Sequence, residues 1–283
     1  MISIASLKEL QEIRKTLPGP VGFVPTMGFL HQGHLSLVRK AREECDSVVV
    51  SIFANPTQFA PDEDFETYPR DISRDKRLLG DENVDVVWIP TVEEMYPDDF
   101  QTWVTVEEVT QPLEGSRRPT HFQGVTTIVA KLFNAVRPDR AYFGQKDAQQ
   151  AVVIKQMVRD LNYPIEIVVC PIVREEDGLA MSSRNTYLDP IERQAALSLS
   201  RGLHLAKERF LDGEREAEVL RTAVKHRVEQ EKLAQLEYVS CADPVSLEEL
   251  EGPVETCLLS MAAKVGKTRL IDNLVLKPDM RKD

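Results

Sequence analysis

The chain has 283 residues, nearly twice the usual allowance for one domain, so two domains or one large one are expected. A chain of that length buries enough core to fold without disulfides or structural metals. Hydrophobic residues at 42% and charged residues at 29% exclude a disordered protein, and 35 basic against 46 acidic side chains, net −11, argue against a protein built to grip nucleic acid or an anionic membrane. Cys45, Cys170, Cys241 and Cys257 are widely spaced, with no CxxC, which fits neither a zinc site nor a disulfide framework. The segment MISIASLKELQEI carries charges by Lys8 and Glu9, so no signal peptide is expected, and no window approaches 18 apolar residues. A reducing cytoplasm is the expected compartment.

Taken in chain order, residues 6–16 read as a helix ended by Leu17-Pro18-Gly19-Pro20, and 21–24 as a short buried strand. Residues 34–45 carry a helical apolar stripe, and 48–53 (VVVSIF) is the continuous β-branched run of a strand covered on both faces. That is one βαβ unit, and the alternation continues: helix at 71–79, strand at 84–89, helix at 125–136, strand at 140–143, helix at 147–161, strand at 165–169. The pattern predicts an α/β fold, a doubly wound, mostly parallel, Rossmann-like sheet over residues 1–171. The pattern changes after Pro171. Asp189-Pro190-x-Glu192 is a helix start, helices are expected at 190–211 and 214–232, and shorter strands at 237–241, 256–263 and 268–272. Residues 172–283 are therefore expected to form a smaller α+β domain, with the acidic-glycine loop 174–185 as a candidate hinge.

Ligands of an open parallel sheet collect beyond the carboxyl ends of its strands. Polar, glycine-containing segments follow the expected strands: Pro25-Thr26-Met27-Gly28-Phe29-Leu30-His31-Gln32-Gly33-His34, then Ala54-Asn55-Pro56-Thr57-Gln58-Phe59, then Gly144-Gln145-Lys146-Asp147-Ala148-Gln149-Gln150. After the strand ending near Cys170 the chain reaches Gly178-Leu179-Ala180-Met181-Ser182-Ser183-Arg184-Asn185. The sharpest signal is His31-x-Gly33-His34 at a helix start. Its unpaired N–H groups and partial positive charge suit phosphate, Gly33 allows a nucleotide ring close to the backbone, and two imidazoles can donate to oxygens that gain charge at phosphorus. A structural histidine cap competes with this reading. Zinc competes less well, because no third ligand lies nearby. Lys146 after a strand end places an ammonium where phosphates would lie, and Ser182, Ser183 and Arg184 offer hydroxyls and a guanidinium for the same chemistry. Two look-alikes are set aside. Val265-Gly266-Lys267-Thr268 resembles the end of a P-loop, but the glycine that motif needs is Met261, and Asp62-Glu63-Asp64 lacks calcium-loop spacing.

Six segments together resemble one family. VPTMGFLHQGH at 24–34, SIFANPTQF at 51–59, EGSRRPTHFQGV at 114–125, FGQKDAQQ at 143–150, DGLAMSSRN at 177–185 and RLIDN at 269–273 are similar, in order and spacing, to the pantothenate synthetase family, the AMP-forming pantoate–β-alanine ligases. HxGH alone marks only the wider nucleotidyltransferase superfamily, shared with class I aminoacyl-tRNA synthetases. The segments NPTQF and FGQKDAQQ narrow it.

The resemblance implies attack of pantoate carboxylate on the α-phosphorus of MgATP, giving pantoyl adenylate and pyrophosphate, then attack of the β-alanine amine, giving pantothenate and AMP. It implies ATP contacts from Met27, Gly28, Phe29, Leu30, His31, Gln32, Gly33 and His34, from Gly144, Gln145, Lys146 and Asp147, and from Val173, Met181, Ser182, Ser183 and Arg184 of a second domain that closes over ATP. His34 is the implied acid, with His31 and Lys146 assisting at the phosphates. Gln58 and Gln150 match the pantoate-binding glutamines, Gln58 also facing β-alanine, and Asn55 supports the same pocket. Glutamine suits pantoate because it donates and accepts without adding charge. Ala54 and Gln145 depart slightly from common family choices. Mg2+ is implied with ATP, but no protein ligand is clear; Asp75 is the one candidate. A homodimer through the N-terminal domain is also implied. The alternative reading is another HxGH nucleotidyltransferase acting on a phosphorylated vitamin precursor.

Overall fold

The computed structural model describes residues 1–60 and 63–280. Asp62, in the acidic run set aside above, lies outside the described residues. Contacts divide the chain into two compact units, Met1–Gln145 with Gln149–Pro171, and Lys146–Ala148 with Ile172–Asp283. Lys146–Ala148, expected in the first domain, thus group with the second unit.

The first unit is built on a six-stranded, fully parallel sheet with helices between its strands. Its elements are β1 (Ile2–Ile4), α1 (Leu7–Arg14), β2 (Val21–Thr26), α2 (Gln32–Glu44), β3 (Ser47–Ile52), α3 (Ile72–Asp81), β4 (Val86–Trp88), α4 (Val92–Met95), α5 (Glu114–Arg117), α6 (His121–Val136), β5 (Arg140–Gly144), α7 (Ala148–Asp160) and β6 (Glu166–Cys170), α7 beginning in the Lys146–Ala148 segment. The strand order is β1-β4-β3-β2-β5-β6. β3 (SVVVSI) is buried along its whole length, and β2 is buried at every position but Pro25, as central strands covered on both faces must be. α2 lies close on β2: a Cβ at Gly22 would come within 3.0 Å of Cys45 Sγ and 3.2 Å of the Ala41 methyl. Each fully buried Leu or Val of this layer, such as Val24, Val38 and Val50, contributes on the order of 1.5–3 kcal/mol.

Two elements here differ from expectation. β1 is an added edge strand, pairing Ile2, Ser3 and Ile4 with Val86, Val87 and Trp88. It is three residues long with two exposed, too short for any periodicity to show. α6 starts at His121 rather than 125: Phe122 is its first buried apolar residue, hidden in the sequence among the polar Thr120, His121 and Gln123.

The second unit is α+β: α8 (Pro190–Leu211) and α9 (Ala217–Glu229) against the antiparallel sheet β7 (Ala234–Ala242), β8 (Cys257–Val265), β9 (Thr268–Leu276). α8 opens with the expected capping box, Asp189 accepting from Ile191 and Glu192 amides while Glu192 reaches back to Asp189 N–H. Leu199, Leu203, Phe210, Leu220 and Val224 pack with Leu259 and Met261 as the core. Val265-Gly266-Lys267-Thr268, the P-loop look-alike, is the two-residue turn joining β8 to β9. Gly266 sits at φ +56, and a Cβ there would fall 1.9 Å from Glu192 Oε1. Among the described residues no helix is long and apolar enough to cross a membrane.

Candidate functional site

In the sheet order, β2 continues to β3 on one side and has β5 on the other, so the direction in which strands are added reverses between β2 and β5. That is the switch point where open α/β sheets bind ligands. β2 pairs with both neighbours, and Phe53 N–H continues the β2–β3 ladder onto Thr26 carbonyl. The segments after β2, β3 and β5 therefore leave one edge of the sheet side by side.

After β2, the chain turns sharply through Gly28 (φ +88) and Phe29 (φ +51) and enters α2. His31 is the helix N-cap: its Nδ1 accepts from Gly33 N–H at 3.2 Å, and His34 Nδ1 accepts from His31 N–H at 3.3 Å. The HxGH motif is thus a capping box made of two imidazoles, with ring centroids 4.0 Å apart. A ring nitrogen that accepts carries no proton, so in the neutral rings the proton sits on Nε2 and each Nε2 is a donor. The cap and the functional readings of these histidines coexist in one arrangement, because the cap uses Nδ1 and the chemistry would use Nε2.

The turn is held from α3. Asp75, fully buried, accepts from Phe29 N–H at 2.7 Å and Leu30 N–H at 2.8 Å, while Arg74 donates to Leu30 carbonyl at 2.9 Å. Burial pushes the Asp75 pKa upward despite these two donors. Both oxygens of Asp75, the candidate Mg2+ ligand, thus accept from backbone amides. Among the described residues, no group of three His, Cys, Asp or Glu side chains could hold a metal ion.

After β3, Asn55 caps the one-turn 3-10 helix Pro56–Gln58. It is buried, its Oδ1 accepting from Thr57 and its Nδ2 donating to Gly124 carbonyl at 3.1 Å. Asn55 therefore shapes the turn that carries Gln58 rather than presenting its own amide. Gln58 carbonyl is gripped by His121 Nδ1 at 2.9 Å and Arg118 at 3.1 Å, and Arg118 is clamped by both oxygens of Glu63 at 2.5 and 2.6 Å. A carbonyl only accepts, so His121 Nδ1 carries the proton, and its Nε2 faces the donating Arg118 at 3.3 Å. Burial, reinforced by the Arg118 charge, lowers the His121 pKa from 6.5 to about 4. A histidine held neutral in the fold stabilises it above the unfolded value of 6.5, and that contribution is lost as pH falls toward 4. His121→Gln is expected to be less stable than the parent at pH 8, with the gap in melting temperature narrowing below pH 6.5 and closing by about pH 4. Parallel melting curves across that range would remove His121 from this role.

After β5, Gly144 and Gln145 border the switch point, and α7 carries the adjacent Gln149 and Gln150. The pair divides its work. Gln149 is buried, accepting from Glu114 N–H and donating to the Val109 and Pro112 carbonyls, so it fastens the loop before α5. Gln150 is half-buried.

Within the second unit, the segment expected as a hinge is a strapped hairpin. Met181 N–H donates to Val173 carbonyl, Glu175 N–H to Leu179 carbonyl, and Gly178 takes φ +93 at the tip. Arg174 pairs with the nearly fully buried Asp272 of β9 at 2.7 and 3.0 Å, and Asn185 donates to Glu175 and to Ala180 carbonyl. Ser182 then caps the 3-10 helix Ser183–Tyr187, accepting from Arg184 N–H. Val173 and residues 181–184 are therefore brought together on one hydrogen-bonded hairpin and its following turn. Lys146 belongs to this unit, and its carbonyl accepts from Asn273 of β9 at 2.9 Å. The holding roles of Asp75, Arg118, His121, Gln149 and Asn273 are all missed by sequence reading. His121, Arg118 and Asn273 lie within family-like segments, but no spacing marks them out.

The family model for pantoate-beta-alanine ligase matches residues 2–275. The chain is 56% identical over 274 residues to the pantothenate synthetase of Roseiflexus castenholzii, covering 97% of this chain and 99% of that protein. It is 55% identical over 269 residues to the pantothenate synthetase of Thermotoga neapolitana, covering 95% of each. The fold is similar to the crystal structure of pantothenate synthetase from Thermus thermophilus, with TM-score 0.93, 46% identity and coverage of 97% and 99%. It is also similar to pantoate-beta-alanine ligase from Francisella tularensis complexed with beta-gamma ATP and beta-alanine, with TM-score 0.80, 35% identity and coverage of 99% and 100%.

Proposed function

The chain belongs to the pantoate–β-alanine ligase family, and from that premise we propose how its residues divide the reaction. The activity is the joining of pantoate to β-alanine with ATP as co-substrate. In the proposed course, the pantoate carboxylate attacks the α-phosphorus, an O–P bond forms, the bond to the β-phosphate oxygen breaks and pyrophosphate leaves. The β-alanine amine then attacks the acyl carbon, the acyl–phosphate bond breaks and AMP leaves. No covalent nucleophile on the protein is needed, so catalysis is positioning and charge stabilisation.

In this reading Met27, Gly28, Phe29, Leu30, Gln32 and Gly33 bed the nucleotide. The Nε2–H groups of His31 and His34 donate to phosphate oxygens as charge builds, with His34 placed as the acid. Gly144, Gln145, Lys146 and Asp147, with Val173, Met181, Ser182, Ser183 and Arg184, supply the remaining ATP contacts. Gln58 and Gln150 hold pantoate, Gln58 also facing β-alanine, and Asn55 serves them through the turn. The first unit then binds ATP and pantoate, and the second serves as a lid. Mg2+ bound with ATP would neutralise phosphate charge; ATP oxygens and water are its expected ligands. The observation that carries this reading is the imidazole capping box at the switch point, its two Nε2 donors beside a helix N-terminus.

The test is exchange of labelled pyrophosphate into ATP. Exchange is expected only when pantoate is present, and equal exchange without it would overturn the acid-activation reading in favour of plain nucleotidyl transfer. We also propose a homodimer formed by the first unit. Support comes from Trp103, a large apolar side chain left 46% exposed in a segment, 101–107, that belongs to no helix or strand among the described residues. A solution mass twice that of one chain is the expected result. A cytoplasmic setting completes the proposal, in keeping with four unpaired cysteines, all buried.

A further inference from the structure

Leu30 is held at both of its backbone groups by consecutive residues of α3. Its N–H goes to Asp75 Oδ1 at 2.8 Å, and its carbonyl accepts from Arg74 Nη1 at 2.9 Å. The preceding Phe29 N–H goes to the other Asp75 oxygen at 2.7 Å. These anchors flank a turn that would not hold itself. Phe29 is a non-glycine residue in the left-handed region, and Gly28 before it is so enclosed that a Cβ would lie 3.0 Å from Ile52 Cγ2 and 3.3 Å from Asp75 Oδ2. The residue after Leu30 is His31, whose N–H and Nδ1 both belong to the capping box. The direction in which the two imidazoles present Nε2 is therefore fixed by a chain of three residues that ends on Asp75.

We propose that Asp75 is a positioning residue for adenylation: its buried carboxylate sets the Gly28-Phe29-Leu30 turn and thereby aims His31 and His34. The inference rests on the proposed roles of those histidines. Two consecutive amide donors require two acceptors on one short side chain, which a carboxylate supplies. An asparagine offers one acceptor and turns an NH2 toward the second N–H, so Asp75→Asn keeps the volume and breaks half the clamp. A metal-ligand role for the same carboxylate predicts something different, and so does a purely structural one.

The experiment compares Asp75→Asn with the parent full-length protein in pantoate-dependent pyrophosphate exchange, at temperatures where circular dichroism shows both folded. Expected is a 10- to 100-fold fall in the maximal rate, roughly 3-fold or smaller changes in the ATP and pantoate KM, and an unchanged Mg2+ activation midpoint. A maximal rate within about 2-fold of the parent, with only a lower melting temperature, would mean the carboxylate is structural and would overturn the proposal. Rescue of the rate by about tenfold more Mg2+ would overturn it in favour of a metal ligand. Arg74→Gln, which releases the Leu30 carbonyl and also removes the guanidinium that lies 3.7 Å from Asp75 Oδ1 and over the Phe29 ring, is the second variant should Asp75→Asn not fold, with an expected rate loss of about 3- to 10-fold; an unchanged rate in that variant counts against the clamp. Nitrogen-15 spectra of the imidazoles read the positioning without the reaction. The chain has five histidines, and those of His31 and His34 should show one fixed tautomer with Nε2 protonated in the parent and a mixture in Asp75→Asn. Identical spectra overturn the proposal even if the parent shows no exchange, whereas a lost tautomer with no exchange in the parent sinks only the functional reading.

Discussion

His34→Ala is expected to lower pantoate-dependent pyrophosphate exchange by about 10²- to 10³-fold, the effect of deleting one preorganised donor to developing charge. The structure makes this separable from the loss of a helix cap. His34 Nδ1 accepts from His31 N–H, so alanine also opens half of the capping box. That deficit should be about 1 kcal/mol of stability, small beside the roughly 3–4 kcal/mol of transition-state energy that the rate loss represents. His34→Asn separates the two further. Its short amide can restore an acceptor near the Nδ1 position but reaches nowhere near Nε2, so stability should recover while exchange does not. Chemical-denaturation midpoints beside exchange rates for the three proteins check this. Recovery of exchange in His34→Asn would assign the histidine to the cap alone.

The reach and limits of sequence reading follow from physical cause. β2, β3, β4, β5 and β6 are legible because each carries a short apolar run that gives way to a polar or glycine-containing segment, most clearly β3 (SVVVSI) and β4 (VVW), which are buried throughout. β1 is not, because an edge strand of three residues draws its definition from pairing with β4 rather than from its own pattern. The antiparallel strands β8 and β9 each run past their expected ends: β8 reaches Val265, paired with Thr268 across the tight Gly266-Lys267 turn, and β9 reaches Leu276, paired with Cys257 at the start of β8. The same contrast holds at the candidate site. HxGH stands out because two histidines and a glycine at a strand-to-helix junction are a rare local conjunction. The residues that hold it in place do not stand out. Asp75 lies 46 residues from Phe29, and His121 lies 63 residues from Gln58, and each is of ordinary type in an ordinary helical setting. Their roles exist only once β2, β3 and the helices that cover them are packed. Asp75 shows this well: as an acidic residue near expected phosphates it reads only as a metal candidate, and its two bonds to the Phe29 and Leu30 amides are visible only in the fold.

Gly124→Ala is the substitution with the largest expected effect on pantoate binding outside any residue proposed to touch it. Gly124 lies inside α6, where alanine would ordinarily stabilise by about 1 kcal/mol. Here a Cβ would fall 2.3 Å from Thr57 carbonyl oxygen and 2.7 Å from its carbon, distances at which the backbone must move. The helix cannot retreat easily, because its apolar residues are buried almost all round and Gly124 carbonyl also accepts from Asn55. The element displaced is the Asn55-Pro56-Thr57-Gln58 turn, whose far end carries the Gln58 side chain and is tied through the Gln58 carbonyl to His121 and Arg118. Overpacking of this kind costs about 1–3 kcal/mol, enough to cancel the helix gain and lower the melting temperature. The displacement should raise the pantoate KM by at least about tenfold while the ATP KM moves by less than about 3-fold, because the β2–α2 junction is not pushed. Gly80→Ala is the matched control: it too is helical, a Cβ there meets nothing within 4 Å, and it should leave both KM values unchanged with stability equal or slightly higher. An unchanged pantoate KM in Gly124→Ala would mean that the α6–turn contact does not set the Gln58 position, and would detach the pantoate role of Gln58 from the geometry that supports it.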